Sequence, residues 1–481
     1  MDTWGMPASC TGARVTMSTA VIDNADISEQ SKNPGLAGDE LAVREITRRV
    51  DNARESATFY KIVALVAAGM LMDSIDVYVG SAVASSALST GWSTVAQNSL
   101  FLSAGFLGLL VGSLLAGFIG DMRGRKTAYQ INLLLFGGFT LLGALAPNMA
   151  VLSACRLGAG LGLGAEIVTG FSMVNEFAPI RHRGRWSAIV SLVANTGVPL
   201  AMLLCAWIIP RWSWRPLFVG IGLAAALIWY LRRDIPESPR WLALHGRMDE
   251  AVQVVELLEA DNGRGGSSSD SVSGSALAGE DEGVEAPAKA SGSVVRGLIV
   301  ATVAVSATNV CSYAFTSWVP TILLKRGINL SGSLWISTLM MLGAPLGCLI
   351  GSLLLDRVGR KRIIVTAFLL TAVFGLLYAA QTSQVTAILV GILLMASLYV
   401  LMSSVVAVYA PELFPTTVRF RCVGIANAVA KLCNVLMPVL IGAMLSQWGS
   451  TSIFVTISLV ALASMLVVGL MGWETSGRSV G

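Results

Sequence analysis

The stretch "GDMRGRKTAY" at residues 120–129 sets an acid, a glycine and a basic cluster between two long apolar runs, and "LDRVGRKRII" at 355–364 repeats the arrangement half a chain later. A second pair of stretches keeps almost the same interval. "EFAPIRHRGR" at 176–185 resembles "ELFPTTVRFR" at 412–421, so Glu176, Pro179 and Arg183 each precede Glu412, Pro415 and Arg419 by 236 residues. Asp121 precedes Asp356 by 235. Two unrelated signatures at one offset mark an internal duplication. A parallel repeat of this size predicts two similar halves with a binding site between them near the membrane midplane.

Composition says why a membrane is involved. Only 13% of the 481 residues are charged and 54% are hydrophobic, whereas a soluble domain carries about 25% charged residues. No Asp, Glu, Lys or Arg occurs in 77–120, 127–155, 186–210, 216–231, 297–324, 327–355, 363–411 or 432–473. A spanning helix needs roughly 20 apolar residues, so the run 363–411, interrupted by "QTSQ" at 381–384, holds two spans. The expected fold is an all-α integral membrane protein of twelve transmembrane helices. They begin near Lys61, Gln97, Thr127, Asn148, Arg185, Pro216, Arg296, Leu330, Ile363, Gln384, Cys422 and Thr451.

Of the 33 Lys and Arg residues, only Arg211, Arg215, Lys325 and Arg326 fall on one face, and Arg156 and Lys431 fall within helices; the rest share the other face. That bias predicts a cell-membrane protein with both termini cytoplasmic. Residues 1–57 are polar and lack an apolar core beside a cleavage site, so they are expected to be a disordered cytoplasmic tail and not a signal peptide. The halves are then 58–235 and 294–473, joined by a cytoplasmic linker at 236–293 and followed by a tail at 474–481. Most of the linker is Gly/Ser-rich and acidic, as in "GRGGSSSDSVSGSALAGEDEG" at 263–283. The seven cysteines show no metal spacing and none lies in an external loop, so neither a metal site nor a disulfide framework is expected.

The repeated basic loops, "RLGAGLGLG" at 156–164, "PESPRWL" at 236–242 and "PELFPTTVR" at 411–419 together resemble the major facilitator superfamily. They narrow the resemblance to the branch of sugar porters, metabolite and aromatic-acid:proton symporters and organic-ion transporters. It covers about residues 58–473. Met122 departs from it, because the first loop has methionine where the motif has arginine, while the second loop has Arg357. Physically, an acid at a helix end beside Arg or Lys can form an ion pair that holds one face shut, and glycines permit the tight turn. The gating set on this reading is Asp121, Arg125, Lys126, Glu176 and Arg183, with Asp356, Arg357, Arg360, Lys361, Glu412 and Arg419 in the second half.

Ionisable groups at membrane depth cost roughly 2.5–3.5 kcal/mol each at a helix centre and mark function. Asp73 and Asp76 of "MLMDSIDVYVG" share one face of the first helix, with Asp73 about 18 Å from its start. Two close carboxylates in a dry site do not both ionise easily, so either can exchange a proton. Glu166 in the fourth helix is a further proton-coupling candidate. Arg156 could bind an anion or balance the acidic pair. The pair also resembles the Asp-x-x-Asp of aromatic-acid:proton symporters.

Lys431 lies about 15 Å into the eleventh helix without an acid nearby in its own sequence. The resemblance to organic-anion transporters, whose substrate-contacting arginine follows the Pro-Thr motif by the same spacing, implies an anion contact for Lys431. Tyr78, Asn195, Asn309, Tyr313, Tyr409 and Asn427 lie at depths that could line the same cavity.

These residues lead to proton-coupled uptake of a small organic anion, aromatic or otherwise monocarboxylic, by alternating access. No cofactor is expected beyond the proton as coupling ion. The expected partners are lipid, the anion and protons, without nucleic acid, and the functional unit is a monomer. A sugar or polyol symporter is the alternative, favoured by "PESPRWL" but not by the seventh helix, "SATNVCSYAFTSWVP", which lacks the paired glutamines of sugar porters. A drug/proton antiporter ranks third, since "NTGVPLAMLL" at 195–204 carries only part of that motif. A sensor would need a folded cytoplasmic domain. An enzyme is not expected, because the chain shows no nucleotide loop or metal cluster and only two histidines, His182 and His245.

Overall fold

A backbone in lipid must satisfy its own hydrogen bonds, which leaves helices as the economical solution for runs as apolar as these. The computed structural model describes residues 34–53, 55–179, 182–260 and 291–475; the expected gating acids Asp121 and Asp356 have side chains outside the described set, as do 1–33, most of the linker and 476–481. Among the described residues, twelve helices are long and apolar enough to cross a membrane. They are span 1 (Ala57–Ser89), span 2 (Val95–Arg123), span 3 (Arg125–Ala144), span 4 (Met149–Phe177), span 5 (Arg183–Ile208) and span 6 (Arg215–Arg232). The second half contains span 7 (Ser291–Lys325), span 8 (Leu330–Met341 and Gly343–Val358), span 9 (Arg360–Ala379), span 10 (Gln384–Glu412), span 11 (Thr416–Gln447) and span 12 (Ser450–Met471).

Local chemistry ends these helices where the sequence changes character. Ser56 accepts from the Phe59 N–H, Thr94 and Gln97 form a reciprocal capping box, and Asn148 and Asn329 cap spans 4 and 8. Span 8 breaks at Leu342 because Pro345 has no N–H for the Met341 carbonyl. Span 10 widens into π-helical turns over Met402–Tyr409. Several helices outreach the charge-free runs. Span 1 starts at Ala57, not Lys61, and span 11 at Thr416, not Cys422, because a helix continues into the interface where its charges are solvated.

Helices in lipid gain little from apolar contact alone, so close approach of small residues carries much of the packing. Gly108 and Gly112 of span 2 press on the carbonyls of Leu157 and Leu161 in span 4. At the repeat-related positions, Gly343 and Gly347 of span 8 press on the carbonyls of Ile392 and Ala396 in span 10. Any side chain at these four positions would collide with backbone.

The halves meet where span 1 packs on span 7, span 2 on span 11, and span 5 on span 8. Hydrogen bonds between Tyr78 and Tyr399, 2.6 Å, and between Ser85 and Thr321, 2.9 Å, cross the interface. Ser85 and Thr321 occupy the same place in the two repeats and lie toward the end opposite the basic loops. Ser99 of span 2 abuts Gly442 of span 11 at that same end. The halves are therefore joined on the face away from the basic loops.

The expectation of a disordered tail over 1–57 needs correction at 34–52. Pro34–Asn52 is a helix whose Ile46 and Val50 bury against Leu242, Ala243, Ala251 and Val255 of two linker helices, Pro239–Leu244 and Met248–Ala260. Its mean composition is polar, but Val43, Ile46 and Val50 recur at helical spacing and form a narrow apolar stripe. Arg49 pairs with Glu259 at 2.6 Å, and Asp51 holds both Arg183, at 3.1 Å, and Arg240, at 2.6 Å.

Candidate functional site: buried charges between the helices

Asp76 and Arg156 come from spans 1 and 4 and are both buried. Arg156 donates from Nη1 to the Asp76 carboxylate and from Nη2 to the Asp76 carbonyl, the latter at 3.0 Å. Glycines make room for this. A Cβ on Gly80 would stand 3.0 Å from Arg156 Nη2, and one on Gly105 3.1 Å from its Nε. Of the two roles the sequence left open for Arg156, the structure shows it on the acid.

Asp73 and Glu166 meet a cation the sequence reading overlooked. Arg232, the last residue of span 6, is 1% exposed and stands with Nη1 2.7 Å from Glu166 Oε1. The contact is close but poorly aligned, and neither of those two atoms makes a well-directed hydrogen bond. Arg232 Nη2 donates to the Leu65 carbonyl of span 1 at 2.9 Å, and its guanidinium lies 3.7 Å from the Tyr129 ring centroid. Gly69 lets this happen, because a side chain there would collide with both Arg232 and Glu166. Asp73, one turn further along span 1, is 4% exposed, and neither carboxylate oxygen has a hydrogen-bond partner. Arg232 was missed because "YLRR" at 230–233 reads as the basic end of a span. The surplus of acids in the first half was the available signal.

The second half lacks these charges. Met402 stands where Glu166 would repeat, Val468 where Arg232 would, and Asn309 where Asp73 would. Its one mid-span charge is Lys431, half-buried about halfway along span 11. Among the described residues Lys431 makes no hydrogen bond or ion pair. Lys431 does not neutralise Asp73, whose charged neighbours are Glu166, Arg232 and Asp76.

Asn195, Asn309 and Asn427 are half-buried, and each amide donates to the carbonyl four residues earlier, which leaves the amide oxygen for another partner. Tyr78 is tied to Tyr399, a residue the sequence did not single out, and Tyr313 packs edge-on against Phe106 at 4.9 Å. Tyr409 belongs elsewhere. It is fully buried at the basic end of span 10 and donates to the Trp473 carbonyl, so its place in a cavity lining is corrected.

The basic loops build two equivalent networks. Arg125 Nε lies 2.9 Å from Glu176, and Arg360 Nε lies 3.4 Å from Glu412. Glu237 accepts from the Lys126 N–H, and Glu474 from the N–H groups of Arg360 and Lys361, so each caps the start of a helix. Gly124 and Gly359 turn the chain with φ of +90° and +99° directly over those carboxylates, where any side chain would be strained. Glu237 and Glu474 were missed, although "PES" and "WET" sit at nearly the repeat interval.

The expected pairing is corrected in two places. Arg183 binds Asp51, and Arg419 donates to the Phe414 carbonyl, so neither meets the glutamate before it. The intervening proline sends the chain into a new helix and points both arginines away. Both Arg–Glu pairs join helices of one half. Arg357 and Lys361 line a 660 Å³ surface groove with Arg362 and Glu474.

Taken together, the first half buries three acids, and among the described residues the second half offers one cation without a partner at similar depth. Comparison with known proteins agrees with a transport role. The family described as sugar (and other) transporter matches residues 55–480. The putative metabolite transport protein YdjK of Escherichia coli (strain K12) is 32% identical over 90% of this chain and 95% of its own length. The niacin transporter NiaP of Acinetobacter baylyi is 26% identical over 91% of this chain and 99% of its own. A solved structure of a D-xylose-proton symporter superposes with a TM-score of 0.69 at 18% identity, covering 88% of this chain and all of that one, which shows the shared fold. The chain belongs to the sugar (and other) transporter family, and is a multi-pass membrane transporter of the major facilitator superfamily and not an enzyme.

Proposed function

We propose that this protein takes up a small organic monocarboxylate, aromatic by preference, together with protons. Lys431 carries the reading: a half-buried ammonium at mid-depth with no partner among the described residues calls for an anion from outside them. The relative named as a niacin transporter supports an aromatic acid, because niacin is itself one. The buried acids of the first half, Asp73, Asp76 and Glu166, supply the proton-coupling groups, and no other cofactor takes part. The loop bias supports a cytoplasmic basic face with both termini inside the cell membrane. The state described here, joined on the opposite face, is then closed to the exterior. Each monomer is a functional unit, since both halves of the site come from one chain.

A sugar or polyol is the second reading. The three asparagines with unused amide oxygens would suit hydroxyl groups, but a neutral sugar leaves Lys431 without purpose. Reconstituted protein should accumulate labelled niacin or 4-hydroxybenzoate when the outside is acidic, and should not accumulate xylose. Gradient-driven uptake of xylose without either acid would reverse the assignment.

A further inference from the structure

The buried charges of the first half do not balance. Asp73, Asp76 and Glu166 are three acids, while Arg156 and Arg232 are two cations, and all five are at most 7% exposed. Arg156 is committed to Asp76 through two hydrogen bonds. That leaves Arg232 with two carboxyl groups, and it pairs with Glu166, while among the described residues neither oxygen of Asp73 has a hydrogen-bond partner.

Among the described residues, nothing else nearby supplies the missing charge. Spans 2, 5, 7 and 8 pack on span 1 but carry Asp, Glu, Lys or Arg only toward their ends, and the one basic residue of span 1, Lys61, also lies near its end. The linker helix Met248–Ala260 touches span 1 too, and adds only acids. Tyr129 of span 3 contributes a neutral ring beneath the guanidinium. An uncompensated carboxylate in such a site is strongly disfavoured, so one proton must reside on the Asp73–Glu166 pair.

We propose that Arg232 is the switch cation of a proton site formed with Asp73 and Glu166, separate from the Asp76–Arg156 pair. With the site loaded, Asp73 holds the proton and Arg232 neutralises Glu166. On release, the Asp73 O–H bond breaks, its electron pair stays on the carboxylate, and the proton passes to water. The guanidinium then becomes shared between the two carboxylates. Its path is short. Arg232 already lies along the Leu65–Gly69 face of span 1, and Asp73 continues that face one turn on, about 6 Å away. Gly69 keeps the way open. Arg232 is thus a positioning residue, and the inference rests on the proton-coupled reading for its physiological use.

The test follows the C=O stretching band of protonated carboxyl groups by infrared difference spectroscopy of reconstituted protein, titrated from acid to base. Wild type should lose one buried carboxyl band. Asp73→Asn should abolish it, and Asp76→Asn should leave it in place. Arg232→Gln should raise its midpoint by more than about one pH unit, because removing the cation makes the second carboxylate harder to form. Arg232→Lys keeps the charge, so it folds if the glutamine variant does not, and should displace the midpoint less.

A band that survives in Asp73→Asn and in Glu166→Gln, or a midpoint unmoved in both Arg232 variants, overturns the proposal. Niacin uptake in the same vesicles separates it from the broader reading. Gradient-driven uptake with a band insensitive to Asp73 and Arg232 sinks the switch alone. The expected band behaviour without any gradient-driven uptake sustains the switch and removes proton coupling.

Discussion

Asn195 and Lys431 occupy the same position in the two repeats, each half-buried near the middle of its helix, yet only Lys431 carries a charge. The duplication placed two side chains at equivalent depth, and divergence left one neutral and one cationic. Among the described residues the amide of Asn195 donates to the Ser191 carbonyl, whereas Lys431 makes no hydrogen bond or ion pair.

Replacing that ammonium gives the first prediction. Lys431→Ala should weaken niacin binding about ten- to hundredfold, the loss of a charge-assisted hydrogen bond of roughly 1.5–3 kcal/mol. Lys431→Arg should retain transport, and Lys431→Glu should repel the acid. Competition in counterflow measures each. Wild-type affinity in the alanine variant would remove Lys431 from the site.

Breaking the Asp76–Arg156 pair from one side should be costly. Arg156→Ala strands a buried carboxylate, and losing one partner of such a pair typically destabilises by about 3–5 kcal/mol. The double variant Asp76→Asn/Arg156→Gln should regain most of that in thermal unfolding, because neither charge is left alone. Asp73→Asn, which leaves this pair intact, should instead allow substrate exchange but abolish accumulation against a gradient. Equal stability of Arg156→Ala and wild type would show that the pair does not hold spans 1 and 4 together.

The helix-capping glutamates of the basic face form a matched pair of tests. Glu237→Gln and Glu474→Gln each weaken the grip on the first turn of spans 3 and 9. Turnover should fall while affinity stays within a few fold, since both residues are remote from Lys431 and a ligand shifts conformations only by its differential affinity. Gly124→Ala and Gly359→Ala should be more severe, because a side chain there adds backbone strain to a collision with the carboxylate. Unchanged turnover in both glutamine variants would leave these networks without a part in the cycle.

Acid should loosen the docking of the 34–52 helix. Burial pushes the Glu55 carboxyl up, but hydrogen bonds from Trp186 at 2.7 Å and Tyr60 at 2.8 Å, with the charge of His182, more than offset this and hold it below its usual value. A depressed native value contributes stability that is present above the unfolded value, about 4.3, and is lost as pH falls through the native one. Hydrogen exchange over 34–52, corrected for intrinsic rates, should therefore quicken in wild type below that range. Glu55→Gln should show weaker protection at neutral pH and a flatter acid response. The same acid response in both proteins would clear Glu55.

Lipid imposes its rules residue by residue, and that is why so much of this protein was legible in one dimension. Charge-free runs and caps determined the count of spans, and the recurrence of Glu176 and Glu412 at a fixed interval determined the duplication. The cost of charge at depth singled out Asp73, Asp76, Arg156, Glu166 and Lys431. Partnership was another matter. Asp76 and Arg156 lie 80 residues apart, and Arg125 and Glu176 lie 51 apart. A span that is apolar on every side carries no periodicity to say which way it is rotated, so its sequence does not tell which neighbour a buried charge will face. Only the packed bundle decided that Arg156 belongs to Asp76, that Arg232 turns inward to Glu166, that Glu237 and Glu474 cap the spans beside them, and that Lys431 is left with no acid in reach among the described residues.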